Sequence, residues 1–373
     1  MSRSGKWWLA AALVVGIGVL VWTRPGGKST PVVPEKSPVP VRTRASQPDF
    51  EKERETSDVA ARKQIRSDWD ELMAWLDSDP APTKEEIRAR LLATRAAWAE
   101  LDPQVLAEMI RELLASGADK ETGLAFKVGP HGFLSGWPTL RLFLLDVLAG
   151  SDPEMAAVTA KGLLAETASA DEFAVALRSL AREGRGRAAN EELTAYFGQM
   201  LGHREWGNSV GFAEALDLAR VIGSSEAARQ LAEWEGNPAL RSMALDEFAA
   251  EHPEVVLEMK DAVNGIARAN LMARVHPDDP AQMAVVDDYL RSPDLTAEEA
   301  DSFLKSFPLR SATTGYRLYG KTPAPYAYDQ VVAGDRAALE RVDQWVNDPA
   351  LAKYRANLIS LQQRLTNWTQ QTR

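Results

Sequence analysis

Apolar positions recur at helical spacing along most of this chain. Ile65, Trp69, Leu72, Met73 and Leu76 fall at i, i+4, i+7, i+8 and i+11, which is one stripe of a helix. Ile87, Leu91, Thr94 and Trp98 share a second face. Val105, Leu106, Met109, Ile110, Leu113 and Leu114 form a third, stopped by Gly117. Later stripes are Phe173, Leu177 and Leu180, then Phe212, Leu216, Ala219 and Val221.

Between the stripes stand helix-start signals. Thr83-x-x-Glu86, Ser169-x-x-Glu172 and Thr296-x-x-Glu299 have the form of capping boxes, in which the hydroxyl and the carboxylate satisfy orphan amides reciprocally. Proline follows a polar residue at Asp102-Pro103, Asp152-Pro153, Asn237-Pro238, His252-Pro253, His276-Pro277, Ser292-Pro293 and Asp348-Pro349, where a first helical turn tolerates it. No period-2 run of β-branched residues bounded by turns is found, so no sheet is predicted. The prediction is an all-α fold of roughly 15 short helices. An irregular helix-hairpin array, α-solenoid-like, is the first choice of architecture and a compact multi-helix bundle the alternative. The proline signals are unevenly spaced and point to no fixed repeat.

The amino-terminal end breaks this pattern. Trp7 to Trp22 is an uncharged run preceded by Arg3 and Lys6. As a helix it rises roughly 24 Å, slightly short of a hydrocarbon core of about 30 Å. Trp7, Trp8 and Trp22 bracket it at the headgroup levels. The run ends Val21-Trp22-Thr23-Arg24-Pro25, without the small residues a cleavage site wants, so residues 1–23 are read as an uncleaved membrane anchor. Six prolines between Pro25 and Pro48 make residues 24–48 an extended tether. Residues 49–373 form the helical body.

Charge sharpens the division. Residues 1–45 carry seven Lys/Arg against one acid, while the rest carries 36 basic and 52 acidic side chains. The acidic body disfavours nucleic acid, and the basic end suits anionic headgroups. The positive N-terminal flank favours a cytoplasmic N-terminus with the body exported. There is no cysteine, which excludes disulfides, thiolate metal sites and thiol nucleophiles, and fits the periplasmic side of a bacterial envelope.

Candidate chemistry is sparse. Gly207-Asn208-Ser209-Val210-Gly211 matches G-x-S-x-G, but residues 202–206 make no buried strand before it, so Asn208 or Ser209 is read as a helix cap. His276-Pro-Asp278-Asp279-Pro280 is read as capping and not as a metal cluster. The break at residues 129–138 offers His131 and Ser135, with Arg141 on the following helix, as an anion or ligand loop. Tyr316, Tyr319, Tyr326 and Tyr328, four of the seven tyrosines, cluster in a Pro/Gly segment and form the candidate partner-binding surface. No catalytic set, metal site or cofactor signature emerges. The expected function is that of a membrane-tethered scaffold in the cell envelope binding a protein or peptide, with the bilayer held through Trp7–Trp22. The alternative is an envelope-polymer enzyme using Asp/Glu acid–base residues.

Overall fold

The helical stripes become packed helices in the computed structural model, which describes residues 48–184, 187–309, 317–319 and 328–371. The chain is mostly helical, as the sequence predicts. Helices α1 (Pro48–Leu76), α2 (Lys84–Trp98) and α3 (Pro103–Ala115) come first. They bury Ile65, Trp69 and Leu72, then Ile87, Leu91 and Trp98, then the α3 stripe from Val105 to Leu114. Thr83 and Glu86 complete a capping box at the start of α2.

The first departure follows. Strands β1 (Lys127–Val128) and β2 (Leu134–Gly136) pair antiparallel, where no sheet is predicted. Strands of two and three residues carry no readable period, and tertiary contacts hold them instead.

Helices α4 (Leu140–Ser151), α5 (Pro153–Glu166), α6 (Ala170–Glu183), α7 (Arg187–Gly202), α8 (Val210–Ala215) and α9 (Leu218–Ile222) lead into the second half. There α10 (Ser225–Glu233), α11 (Pro238–Glu251), α12 (Pro253–Glu258), α13 (Gly265–Met272), α14 (Pro280–Arg291) and α15 (Ala297–Ser306) precede α16 (Tyr328–Val346) and α17 (Arg355–Gln371). Helices near in sequence pack together: α3 on α4, α5 on α6, α10 on α11, α13 on α15 and α16 on α17. One apolar core runs from Ile65 to Leu365.

Proline opens α3, α5, α11, α12 and α14. It fails as a signal at Pro277 and Pro293. The helices there start at Pro280 and Ala297, because Asp279 and Thr296 supply the side-chain oxygen that caps the first turn.

A repeat absent from the proline spacing is present in the polar contacts. Arg141–Glu172, Lys161–Glu192, Arg204–Glu235, Arg220–Glu251 and Arg268–Glu299 each join residues 31 apart. Arg178 and Asp146 are 32 apart. Two of these links use the glutamates read as capping-box partners. Ser169 and Thr296 do cap α6 and α15, but Glu172 and Glu299 turn away to arginines one hairpin earlier. A helix start thus becomes a fastening between successive hairpins.

Among the described residues no helix is long and apolar enough to cross a membrane. Residues 1–47, which hold the expected anchor and nearly all of the tether, lie outside them.

Candidate functional site

The glycine-rich loop is organised by a carboxylate that the sequence analysis did not single out. Asp146 on α4 is wholly buried, inside an otherwise apolar run from Leu142 to Leu148. Its oxygens accept from the Leu134 amide at 3.1 Å, Trp137 Nε1 at 3.1 Å, Arg178 Nη1 at 2.6 Å and Arg95 Nη1 at 3.2 Å. Arg178, equally buried, also donates to the Gly132 carbonyl at 2.8 Å. The ring of Phe133 lies under three guanidinium groups, with Arg182 at 4.3 Å, Arg95 at 5.0 Å and Arg178 at 5.4 Å. Arg182 reaches the His131 carbonyl as well, and burial beside Arg178 pulls its pKa down to about 10.

The structure brings the loop against the tyrosine segment. Gly132 sits at φ 72°, and a Cβ there would lie 2.5 Å from the Leu318 carbonyl oxygen and 2.9 Å from that of Arg317. Arg317 is buried in an ion pair with Glu247 on α11. Tyr319 is buried too, and its hydroxyl donates to the Ala174 carbonyl at 3.0 Å. Burial pushes that phenol well above its usual range. The residue expected to present a contact ring to a partner therefore packs inside, between α6 and the loop. Tyr316 and Tyr326 lie outside the described residues, and Tyr328 opens α16.

The three residues of the expected ligand loop do not converge. His131 is exposed in the left-handed region at φ 58°. Ser135 Oγ donates to the Lys127 carbonyl at 3.4 Å. Arg141 is committed elsewhere: its Nε donates to Glu172 and its Nη1 to the Leu114 carbonyl, both at 2.9 Å. Asp146 and Arg178 were legible in principle, as lone charges within the apolar runs LFLLDVLA and AVALRSLA.

Gly132→Ala is expected to destabilise by roughly 1–3 kcal/mol, since it adds strain at positive φ to a collision with two carbonyl groups. A double-mutant cycle with Tyr319→Phe should show coupling above about 0.5 kcal/mol, because both changes act on the seating of residues 317–319. Strict additivity would mean that the loop and this segment are energetically independent.

Further along α8 lies Glu214, whose Oε2 is buried without a partner. Burial raises its pKa above the usual 4.5, against the opposing effect of Arg317. The folded state therefore holds this proton more tightly than the unfolded state. Stability falls as pH rises from about 4.5 through the folded-state pKa, and the loss is complete above it. Glu214→Gln should thus stabilise the protein at neutral pH relative to wild type, with the advantage shrinking on acidification. Denaturant titrations near pH 4 and pH 8 measure this, and a gain independent of pH would remove Glu214 as its source.

The G-x-S-x-G serine is a cap. Ser209 Oγ accepts from the Phe212 amide at 3.2 Å and donates to Asp171 at 2.6 Å, and a 3₁₀ turn, not a strand, precedes it. Asp279 caps α14, and among the described residues no group of three His, Cys, Asp or Glu could hold a metal ion.

Two of the clefts on the surface of the described residues bear on function. One, of about 890 Å³, lies between α3 and α5 and is lined by Glu108, Glu112, Leu114, Val158, Gly162 and Glu166. The other, of about 640 Å³, lies between residues 202–208 and 234–237.

The fold and these sites define an all-α protein in which five ion pairs between α4 and α15 join residues 31 apart. No protein family matches the chain, and no curated protein or solved structure is significantly similar to it.

Proposed function

We propose that this protein is a membrane-tethered scaffold of the cell envelope, whose body is an irregular α-solenoid that binds a protein or peptide partner. The observation that supports this reading is the 31-residue recurrence of inter-hairpin ion pairs. Stacked hairpins expose a long surface for their volume, and such arrays serve as binding platforms. Trp7–Trp22 is the anchor and residues 24–48 the spacer, with the N-terminus cytoplasmic and the body exported.

The cleft between α3 and α5 is the surface assigned to the partner, and Tyr316, Tyr326 and Tyr328 are candidate contact residues by sequence. Val158 stands 61% exposed at its edge, and a Cβ on Gly162 would meet nothing within 4 Å. An enzyme acting on envelope polymers would need two free carboxylates facing across such a cleft. Glu108 and Glu112 here are instead paired with Arg62 and Arg66, which favours the scaffold.

The test is in-cell photo-cross-linking from a reactive residue at position 158, then at 326, followed by mass spectrometry. A single partner captured in near-stoichiometric yield, and lost on deleting residues 1–48, supports the reading. Absence of any reproducible adduct from both positions counts against it.

A further inference from the structure

We propose that the second cleft binds a neutral saccharide, a role independent of the peptide-binding surface above. It lies between two inter-hairpin connections whose Arg204 and Glu235 are 31 residues apart, so it is a seam between successive hairpins. Its volume, about 640 Å³, falls in the ~300–1,000 Å³ range of small-molecule sites and accommodates a short oligosaccharide.

The lining has the chemistry that sugars require. The imidazole of His203 stacks on Trp206 with ring centroids 3.8 Å apart and planes 9° apart. Trp206 is itself buried against Phe173, at 5.2 Å. His203 is thereby a flat, rigidly backed ring with 35% of its side chain exposed, suited to the C–H face of a pyranose. Around it stand hydrogen-bonding groups not used by the fold. Asn208 is exposed and its amide has no partner among the described residues, offering a donor and an acceptor to a hydroxyl. Trp234 is packed on Phe212, yet its Nε1–H has no acceptor among the described residues, so it is a spare donor at the wall. The charges at the rim, Arg204 and Glu235, oppose each other at 3.4 Å. A lining balanced in charge selects no ion, which favours an uncharged polyol over a phosphate, a nucleotide or an amine.

Gly202 supplies the test. It ends α7, its φ is not in the left-handed region, and a Cβ there would meet nothing within 4 Å. Gly202→Trp therefore fills the cleft without straining the backbone. The full chain in detergent micelles is titrated calorimetrically and by saturation-transfer NMR with chitotetraose, cellotetraose and maltotetraose, and with AMP as a charged probe.

Saturable binding of at least one tetrasaccharide is expected. It should weaken roughly tenfold in Asn208→Ala, the effect of about 1.4 kcal/mol from one lost polar contact, and disappear in Gly202→Trp with an unchanged thermal melt. Three results would overturn the proposal: no saturation by any of the sugars at millimolar concentration, binding of AMP alone, or undiminished sugar binding by Gly202→Trp. If Gly202→Trp melts early, Asn208→Ala and a Trp234→Phe variant, which keeps the ring and removes the donor, decide the matter. Wild-type affinity in both would then reject the site.

Discussion

Asp146→Ala is expected to destabilise the protein by about 3–5 kcal/mol, the range for removing one partner of a buried ion pair and leaving the other charged. Asp146 and Arg178 both have side chains fully shielded from solvent. The change strands more than Arg178, because the Leu134 amide and Trp137 Nε1 lose the same acceptor. Asp146→Asn keeps the shape and one carbonyl oxygen but cannot neutralise Arg178, so it should fall between wild type and Ala. The double variant Asp146→Leu/Arg178→Met should recover much of the loss, since it removes the charge that the single change abandons. Guanidinium denaturation of the four proteins measures this. A loss below about 1 kcal/mol for Asp146→Ala would show that the loop at residues 129–138 has another anchor.

The second large effect separates two links of identical spacing by their burial. Arg268 and Glu299 are 6% and 1% exposed at their side chains, and the guanidinium is bidentate on the carboxylate at 2.5 and 3.0 Å. Arg204 and Glu235 are 87% and 84% exposed, with their nearest atoms 3.4 Å apart. Glu299→Ala should therefore cost about 3–5 kcal/mol, with Arg268 left to the exposed Asp294 alone. Glu235→Ala should change stability by no more than about 0–1 kcal/mol, as a screened surface pair does. Salt should be nearly without effect on the first difference and should erase the second. Equal effects for the two substitutions would mean that the spacing, and not the desolvation, sets the strength of the inter-hairpin fastening.

Much of the helical pattern was legible because it is local. The stripes of α1, α2 and α3, the caps Thr83, Ser169 and Thr296, and the proline starts of α3, α5, α11 and α12 depend on residues within four positions of one another. Ser209 was legible as a cap for the same reason. The ligand loop and the tyrosine cluster were not readable as sites, because their composition is compatible with packing inward or with facing a partner. Tyr319 packs inward because α6 offers its hydroxyl the Ala174 carbonyl, a partner far away in sequence. Arg141 left the loop because Glu172 and the Leu114 carbonyl lie on its own side of α4.

By itself the sequence determined that this is an all-α chain, where many of its helices begin, and that its body carries the acidic charge, because propensity, capping and composition act over short range. The tertiary structure alone decided the 31-residue fastening of the hairpins. It also decided the burial of Asp146 against Arg178 and the meeting of Gly132 with residues 317–319. These rest on pairings between residues distant along the chain, where the same Glu can close a capping box or cross to the neighbouring hairpin. Which it does depends on whether an arginine is packed within reach, and only the folded core settles that.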